Sequence, residues 1–259
     1  MTCAKTSQWA AIVLPPVILL GIILALWAWV SAQGMIPNYL LPPPAKLWDA
    51  IVNGRSVLWR HGLATTQEAL IGYVIGSLLG LLAAIVLSFS RRLRACFFPL
   101  ALATQAIPII AVTPLIVLVM GRGMPAILTL VSITAFFPML INMTRGLRVA
   151  DRGYHELLHS LAATRLQRLL MIELPAAFPY LFAALRVAAT ACFINAIVGE
   201  WIGSNIGLGY LVVISGQYFR MPMLWAAIVV TAALTLILAG IVAMVERAVT
   251  PWAATEHGT

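Results

Sequence analysis

The sequence predicts an all-α, polytopic membrane protein, and three observations carry that prediction. Of its 259 residues 62% are hydrophobic and only 9% charged, whereas soluble domains are roughly a quarter charged. Apolar runs of the length a helix needs to cross hydrocarbon, about 20 residues, recur six times, near 9–30, 67–89, 95–120, 123–144, 176–203 and 223–245. The basic residues lie between these runs, so the net charge of +8 is a topology signal and not a nucleic-acid surface.

The first run ends at Val30-Ser31-Ala32, a tolerable cleavage site, but its apolar length exceeds the 7–15 residues typical of a signal peptide, which favours a retained anchor. Next come Pro37, Pro42, Pro43 and Pro44 and then LWDAIVNG, read as an extended turn and a short interfacial helix. Trp48 and Trp59 are its aromatic anchors, and the segment is expected to act as a linker. The second run carries Gly72, Gly76 and Gly80, a double G-x-x-x-G that clears one helix face for close packing. The spacing leaves open whether the packed partner belongs to the same subunit. This reading divides the chain into an anchor and external segment at 1–66, a transmembrane core at 67–250 and a cytoplasmic tail at 251–259.

The third run contains Pro99, Pro108 and Pro114. Each proline removes a backbone donor, a break tolerated where neighbours or a water-filled path satisfy the freed carbonyls. Thr104, Gln105 and Thr113 lie beside these breaks, and Asn142, Asn195 and Glu200 are the other strongly polar groups in or at the ends of spans. Polar groups at that depth mark candidate solute paths, so Gln105, Thr113, Asn142, Asn195 and Glu200 are the path candidates. Interhelical hydrogen bonding is the alternative for each of them.

With the N-terminus inside, the cytoplasmic segments hold Lys5, then Arg91, Arg92 and Arg94, then Arg145, Arg148, Arg152, Arg165 and Arg168, then Arg247. The opposite face holds Lys46, Arg55, Arg60, Arg122 and Arg220. An even number of spans then returns the C-terminus to the cytoplasm. Cys3, Cys96 and Cys192 are odd in number and widely spaced, which offers neither a disulfide framework nor a metal knuckle; they are expected to be packing residues.

His155-Glu156-Leu157-Leu158-His159 is a literal H-E-x-x-H, which on a helix places two imidazoles one turn apart for zinc with a carboxylate as general base. An intramembrane zinc metalloprotease is therefore the alternative function. Against it, the motif lies in an arginine-rich loop and not inside a span, and the nearest downstream acid, Glu173, sits beside Pro175 at a helix end. No metal site and no cofactor are expected. No G-x-x-x-x-G-K-[ST] occurs either, so the chain has no usual means of cradling nucleotide phosphates.

The same stretch, 156–175, resembles the coupling loop of ATP-binding-cassette (ABC) importer permeases, Glu-Ala-Ala, three residues, Gly, nine residues, Ile-x-Leu-Pro. Glu156 takes the acidic position, Leu157 and Leu158 replace the alanines, Ala162 replaces the glycine, and Ile172, Leu174 and Pro175 fall at the expected spacing. NYLLPPPAKLWDAI, QAIPIIAVTPL, FFPMLINMTRGLR and EWIGSNIGLGYLV are similar to permeases of the nitrate, sulfonate, taurine and bicarbonate group. Gly199-Glu200-Trp201 with Gly207-Leu208-Gly209-Tyr210 most resembles its thiamine-precursor and riboflavin branch. The resemblance implies a type I importer permease in a bacterial inner membrane, with six spans and a cytoplasmic coupling helix. It implies no catalysis of its own, a path lined by the third to fifth spans, and as partners two ATPase subunits, a second and identical permease, and an extracytoplasmic solute-binding protein. Apart from these the chain is expected to contact membrane lipid and no nucleic acid.

Overall fold

The computed structural model describes residues 3–34, 36–37 and 40–250, and among them every regular element is helical. In chain order these are α1 (Cys3–Ala32), α2 (Pro44–Asn53), α3 (Arg55–Ser88), α4 (Arg91–Thr104), α5 (Ile109–Met120), α6 (Met124–Gly146), α7 (Arg152–Ser160), α8 (Arg165–Arg168), α9 (Leu174–Gly203), α10 (Leu208–Gln217) and α11 (Met221–Val249). A π-helical turn over Leu169–Glu173 joins α8 to α9, making one 39-residue helix, Arg165–Gly203.

Arg55–Ser88, Met124–Gly146, Arg165–Gly203 and Met221–Val249 are long and apolar enough to span a membrane, and α4 with α5, bent by 100°, make a fifth span if taken as one broken unit. The remaining expected run, 9–30, falls within α1, where the side chains of 3–13, 16, 17 and 20 lie outside the described residues. Its stretch from Gly21 to Ala32 is apolar. The expected tail, 251–259, also lies outside the described residues.

The second span begins earlier than its apolar run suggests. α3 is continuous from Arg55, so the division at 66/67 falls inside a helix. Its first turns are polar by composition, but Leu58 is buried with Leu208, Leu211, Ala226 and Ala227. The proline-rich segment is also more than a linker. Trp27 Nε1 donates to Pro42 O at 3.1 Å and Trp225 Nε1 to Leu40 O at 3.2 Å, while Leu47 of α2 is buried in the same cluster. Trp48 and Trp59 are 66% and 73% exposed, as interfacial anchors require.

Of the three prolines in the third run, only Pro108 marks the break. It is the N-cap of α5, with the chain turning over 105–107, whereas Pro99 and Pro114 sit inside helices.

The main seams run α3 against α6 and α6 against α9. The glycines of α3 face α6 of the same chain: a Cβ at Gly72 would lie 2.6 Å from Val131 Cβ, one at Gly80 2.5 Å from Phe136 O, and one at Gly76 would overlap Ser132 O. The partner left open by the spacing is thus intramolecular. Ala69, Ile127, Val131, Ala135, Ala188, Ala189, Cys192, Phe193 and Ala196 continue this core. Small side chains let the backbones approach where lipid supplies no hydrophobic drive. Cys192 is a packing residue, as expected, whereas Cys96 is exposed and the Cys3 side chain is outside the described residues. Outward faces are apolar, for example Leu78 and Leu82 on α3 and Leu236 and Ile237 on α11.

Arginines gather at one end of this bundle. Arg165 Nη2 donates to Ser88 O at 2.7 Å and its guanidinium lies over Phe89. Arg91, Arg94, Arg145 and Arg148 border a common cavity. The other end is closed by Gly123 N donating to Gly203 O at 2.6 Å, which ties the α5–α6 turn to the end of α9.

Candidate coupling surface and buried carboxylate site

At the arginine-rich end, the chain between α6 and α9 builds a compact protrusion. Asp151 Oδ1 accepts from Gly153 N at 2.8 Å and caps the start of α7, satisfying one of the free donors there. Glu156 is exposed and sits in the middle of α7, not near its start as its place in the motif suggests. α7 ends with Ala163 N donating to Leu158 O at 2.9 Å around Ala162, whose φ is +51°. This is a Schellman ending, in which the residue after the cap is left-handed and is usually glycine. Ala162 therefore occupies the place where a glycine has a physical reason, and its side chain is exposed.

Thr164 then starts α8 with a capping box, its hydroxyl accepting from Gln167 N and Gln167 Oε1 accepting from Thr164 N. Ile172 lies in the π turn, and Leu174 and Pro175 open α9. The Ile-x-Leu-Pro segment is thus not a helix end. Pro175 lacks an N–H and would crowd the carbonyl one turn back, and the wider π turn before it lets the helix run through.

At the opposite end, Glu200 of α9 is fully buried and holds the start of α10. Gly209 N donates to its Oε2 at 2.5 Å and Thr65 Oγ1 of α3 to its Oε1 at 2.6 Å. Thr65 Oγ1 also accepts from Leu208 N at 2.7 Å. His61 Nδ1 lies 3.0 Å from Gly207 N and 2.9 Å from Gly207 O, with its ring stacked on Tyr210. A carboxylate at a helix N-terminus satisfies free amides and is favoured by the dipole. The spacing of Gly-Glu-Trp and Gly-Leu-Gly follows from this contact. Gly207 has φ +114°, a Cβ there would overlap the Glu200 carboxyl, and one at Gly209 would lie 2.5 Å from Ile197 O.

Glu68, one turn beyond Thr65, is 5% exposed and its Oε2 makes no hydrogen bond. His61, Thr65 and Glu68 were not singled out in the sequence. Their spacing of four and then three residues, which puts them on one face of α3, is the signal that could have found them.

The remaining path candidates are dispersed. Gln105 is exposed at the α4–α5 bend. Thr113 donates to Ile109 O at 3.0 Å, Asn142 to Pro138 O at 2.8 Å and Asn195 to Ala191 O at 2.9 Å, so these three side chains turn back onto their own helices. None of the five candidates lines either of the cavities beside α4 and α6. The side chains of His155 and His159 lie outside the described residues. Their motif falls in α7, a nine-residue helix between spans.

Comparison with known proteins agrees with this architecture. Residues 76–251 match the family model described as "Binding-protein-dependent transport system inner membrane component". A probable ABC transporter permease protein of Haemophilus influenzae is 33% identical, over 87% of this chain and 92% of that protein. The riboflavin transport system permease protein of Chloroflexus aurantiacus is 33% identical over 96% and 92%, and the formylaminopyrimidine transport permease protein of Halalkalibacterium halodurans 29% identical over 92% and 96%. Among solved structures, a chain of the MetNI methionine ABC transporter in an inward-facing conformation superposes with a TM-score of 0.65 at 19% identity, covering 73% of this chain and 94% of that one. The chain belongs to the binding-protein-dependent transport system inner membrane components, and it is a non-enzymatic permease subunit of an ABC importer with a type I fold.

Proposed function

We propose that this permease works as one of two identical copies around a shared path, moved by two ATPase subunits that grip 156–175 and supplied by an extracytoplasmic solute-binding protein. The observation that carries this reading is the exposed helix–turn–π segment at the arginine-rich end, continuous in backbone with the α9 span. Glu156 and Ala162 present its outer surface, while Ile172, Leu174 and Pro175 set its junction with the span. Gln105, exposed at the bend, belongs on the path. Thr113, Asn142 and Asn195 flank it through their helices, and Glu200 fastens its outer end.

The solute is a small, planar nitrogen heterocycle. The riboflavin and formylaminopyrimidine relatives are 33% and 29% identical, against 28% and 27% for two aliphatic sulfonate relatives and 24% for a taurine relative. The Gly-Glu-Trp and Gly-Leu-Gly features point to the same branch.

Ala162→Trp tests the docking. Alanine already adopts the left-handed turn, so tryptophan adds bulk on an exposed position with little further backbone strain. The variant is expected to insert and fold, yet to lose association with its ATPase or solute-stimulated hydrolysis in proteoliposomes. Normal assembly and transport would refute the docking surface. For the solute, the partner binding protein is expected to bind riboflavin or formylaminopyrimidine and not taurine in calorimetric titration; the reverse preference overturns the assignment.

A further inference from the structure

We infer that the cytoplasmic end of α4 and α6 is a binding site for an anionic phospholipid, its phosphate held by arginines and an acyl chain lying in the adjoining apolar groove. Two cavities carry this. The first, of about 570 Å³, is bordered by Arg91, Arg94, Arg145 and Arg148, with Phe98 and Thr144. Among the described residues no carboxylate borders it, and Arg94 has the like charges of Arg148, Arg91 and Arg165 around it. The single ion pair among the described residues, Arg186 with Glu246, lies elsewhere. Thr144 is 5% exposed and its hydroxyl has no hydrogen-bond partner, which leaves a donor for a bound oxygen. Like charges gathered without an acid repel one another, and a phosphate relieves that repulsion while accepting guanidinium hydrogen bonds in the forked geometry that arginine offers.

The second cavity, of about 490 Å³, is bordered by Leu93, Phe97, Leu100 and Ala101 of α4 with Phe137 and Leu140 of α6. Its one polar side chain, Thr104, donates to Ala101 O. On α4, Arg91, Arg94 and Phe98 border the first cavity and Leu93, Phe97, Leu100 and Thr104 the second, each set keeping helical spacing on its own face. The faces meet in the first turn, where Leu93 lies between Arg91 and Arg94. A phosphate at the turn and a chain running past Leu93 fill both cavities with one molecule. The charge pattern commits the occupant: basic pockets at the cytoplasmic side of spans suit anionic headgroups, and a soluble phosphate would leave the apolar groove unused.

The test is native mass spectrometry and lipid titration of the purified full-length permease, delipidated and then offered phosphatidylglycerol, phosphatidylcholine or inorganic phosphate. Phosphatidylglycerol is expected to bind in preference to phosphatidylcholine. Arg94→Gln with Arg148→Gln should weaken it by about tenfold or more, Thr104→Trp, at a half-buried position on the groove, should block it by filling the groove, and Arg94→Lys should largely retain it. Arg122→Gln, exposed at the opposite end, should not change it, and gel filtration of each variant separates lost binding from lost folding. Equal binding of phosphatidylcholine, or full binding by the double variant, overturns the proposal. Competition by inorganic phosphate without effect of Thr104→Trp overturns it in favour of a soluble anion site. Loss of ATPase association in the double variant, with lipid binding intact, overturns it in favour of a protein contact.

Discussion

Ala162 shows how a single backbone angle explains a sequence position. It and Phe219 are the non-glycine residues with positive φ among those described, and both follow the last turn of a helix; Arg220 N donates to Ser215 O at 2.8 Å around Phe219 as Ala163 N does around Ala162. A β-carbon in the left-handed region is unfavourable by about 1–2 kcal/mol, partly offset by the greater unfolded freedom of glycine. Ala162→Gly should therefore tighten the turn by up to about 1 kcal/mol, read as slower hydrogen exchange at the Ala163 amide; faster exchange would contradict the strain. The motif spacing was legible because it reflects this turn. The place of Glu156 within α7 was not, because the helix start depends on the Asp151 cap, which lies outside the motif.

At the scale of elements, α10 depends on groups distant in sequence. Thr65 serves two partners at once, donating to Glu200 and accepting from Leu208 N. Thr65→Val keeps the shape and leaves a buried amide unpaired, which is unfavourable by about 1–2 kcal/mol. The detergent-solubilised permease should melt at a lower temperature, and Thr65→Ser should restore most of the loss. Equal melting of the valine variant and wild type would show that the clamp is dispensable. The long apolar helices were legible because hydrocarbon thickness dictates run length. The clamp was not, since its residues sit in the polar first turns of α3, outside the apolar run of 67–89, and their partners are more than a hundred residues downstream. Likewise three prolines announced a broken span, but only the contacts of the folded chain put the break at Pro108 and left Pro99 and Pro114 within helices.

For the whole molecule, the excess of arginines at one end predicts that this end faces the cytoplasm. Ser160 is exposed on the coupling segment, so Ser160→Cys, in a background without the three native thiols, should react with an impermeant maleimide in inverted vesicles and not in intact cells. Labelling from outside intact cells would invert the topology. The apolar runs made the spans of α3, α4 with α5, α6, α9 and α11 legible from sequence alone, whereas the intramolecular glycine seam depends on the folded chain, because a G-x-x-x-G serves a neighbour in the same chain or another equally well.

The uninterrupted helix Arg165–Gly203 has 39 residues and so extends about 58 Å at 1.5 Å per residue, nearly twice the roughly 30 Å of hydrocarbon. On the docking proposed above it would act as a lever pivoting in the bilayer, with the coupling segment as its inner handle and Glu200 near its outer tip. A displacement of the handle swings the tip the opposite way by a comparable distance, and the tip is fastened to the start of α10. Force applied in the cytoplasm would then reach the start of α10 through one continuous helix. The inner contact and the start of α10 would share a single stroke and could not be timed independently.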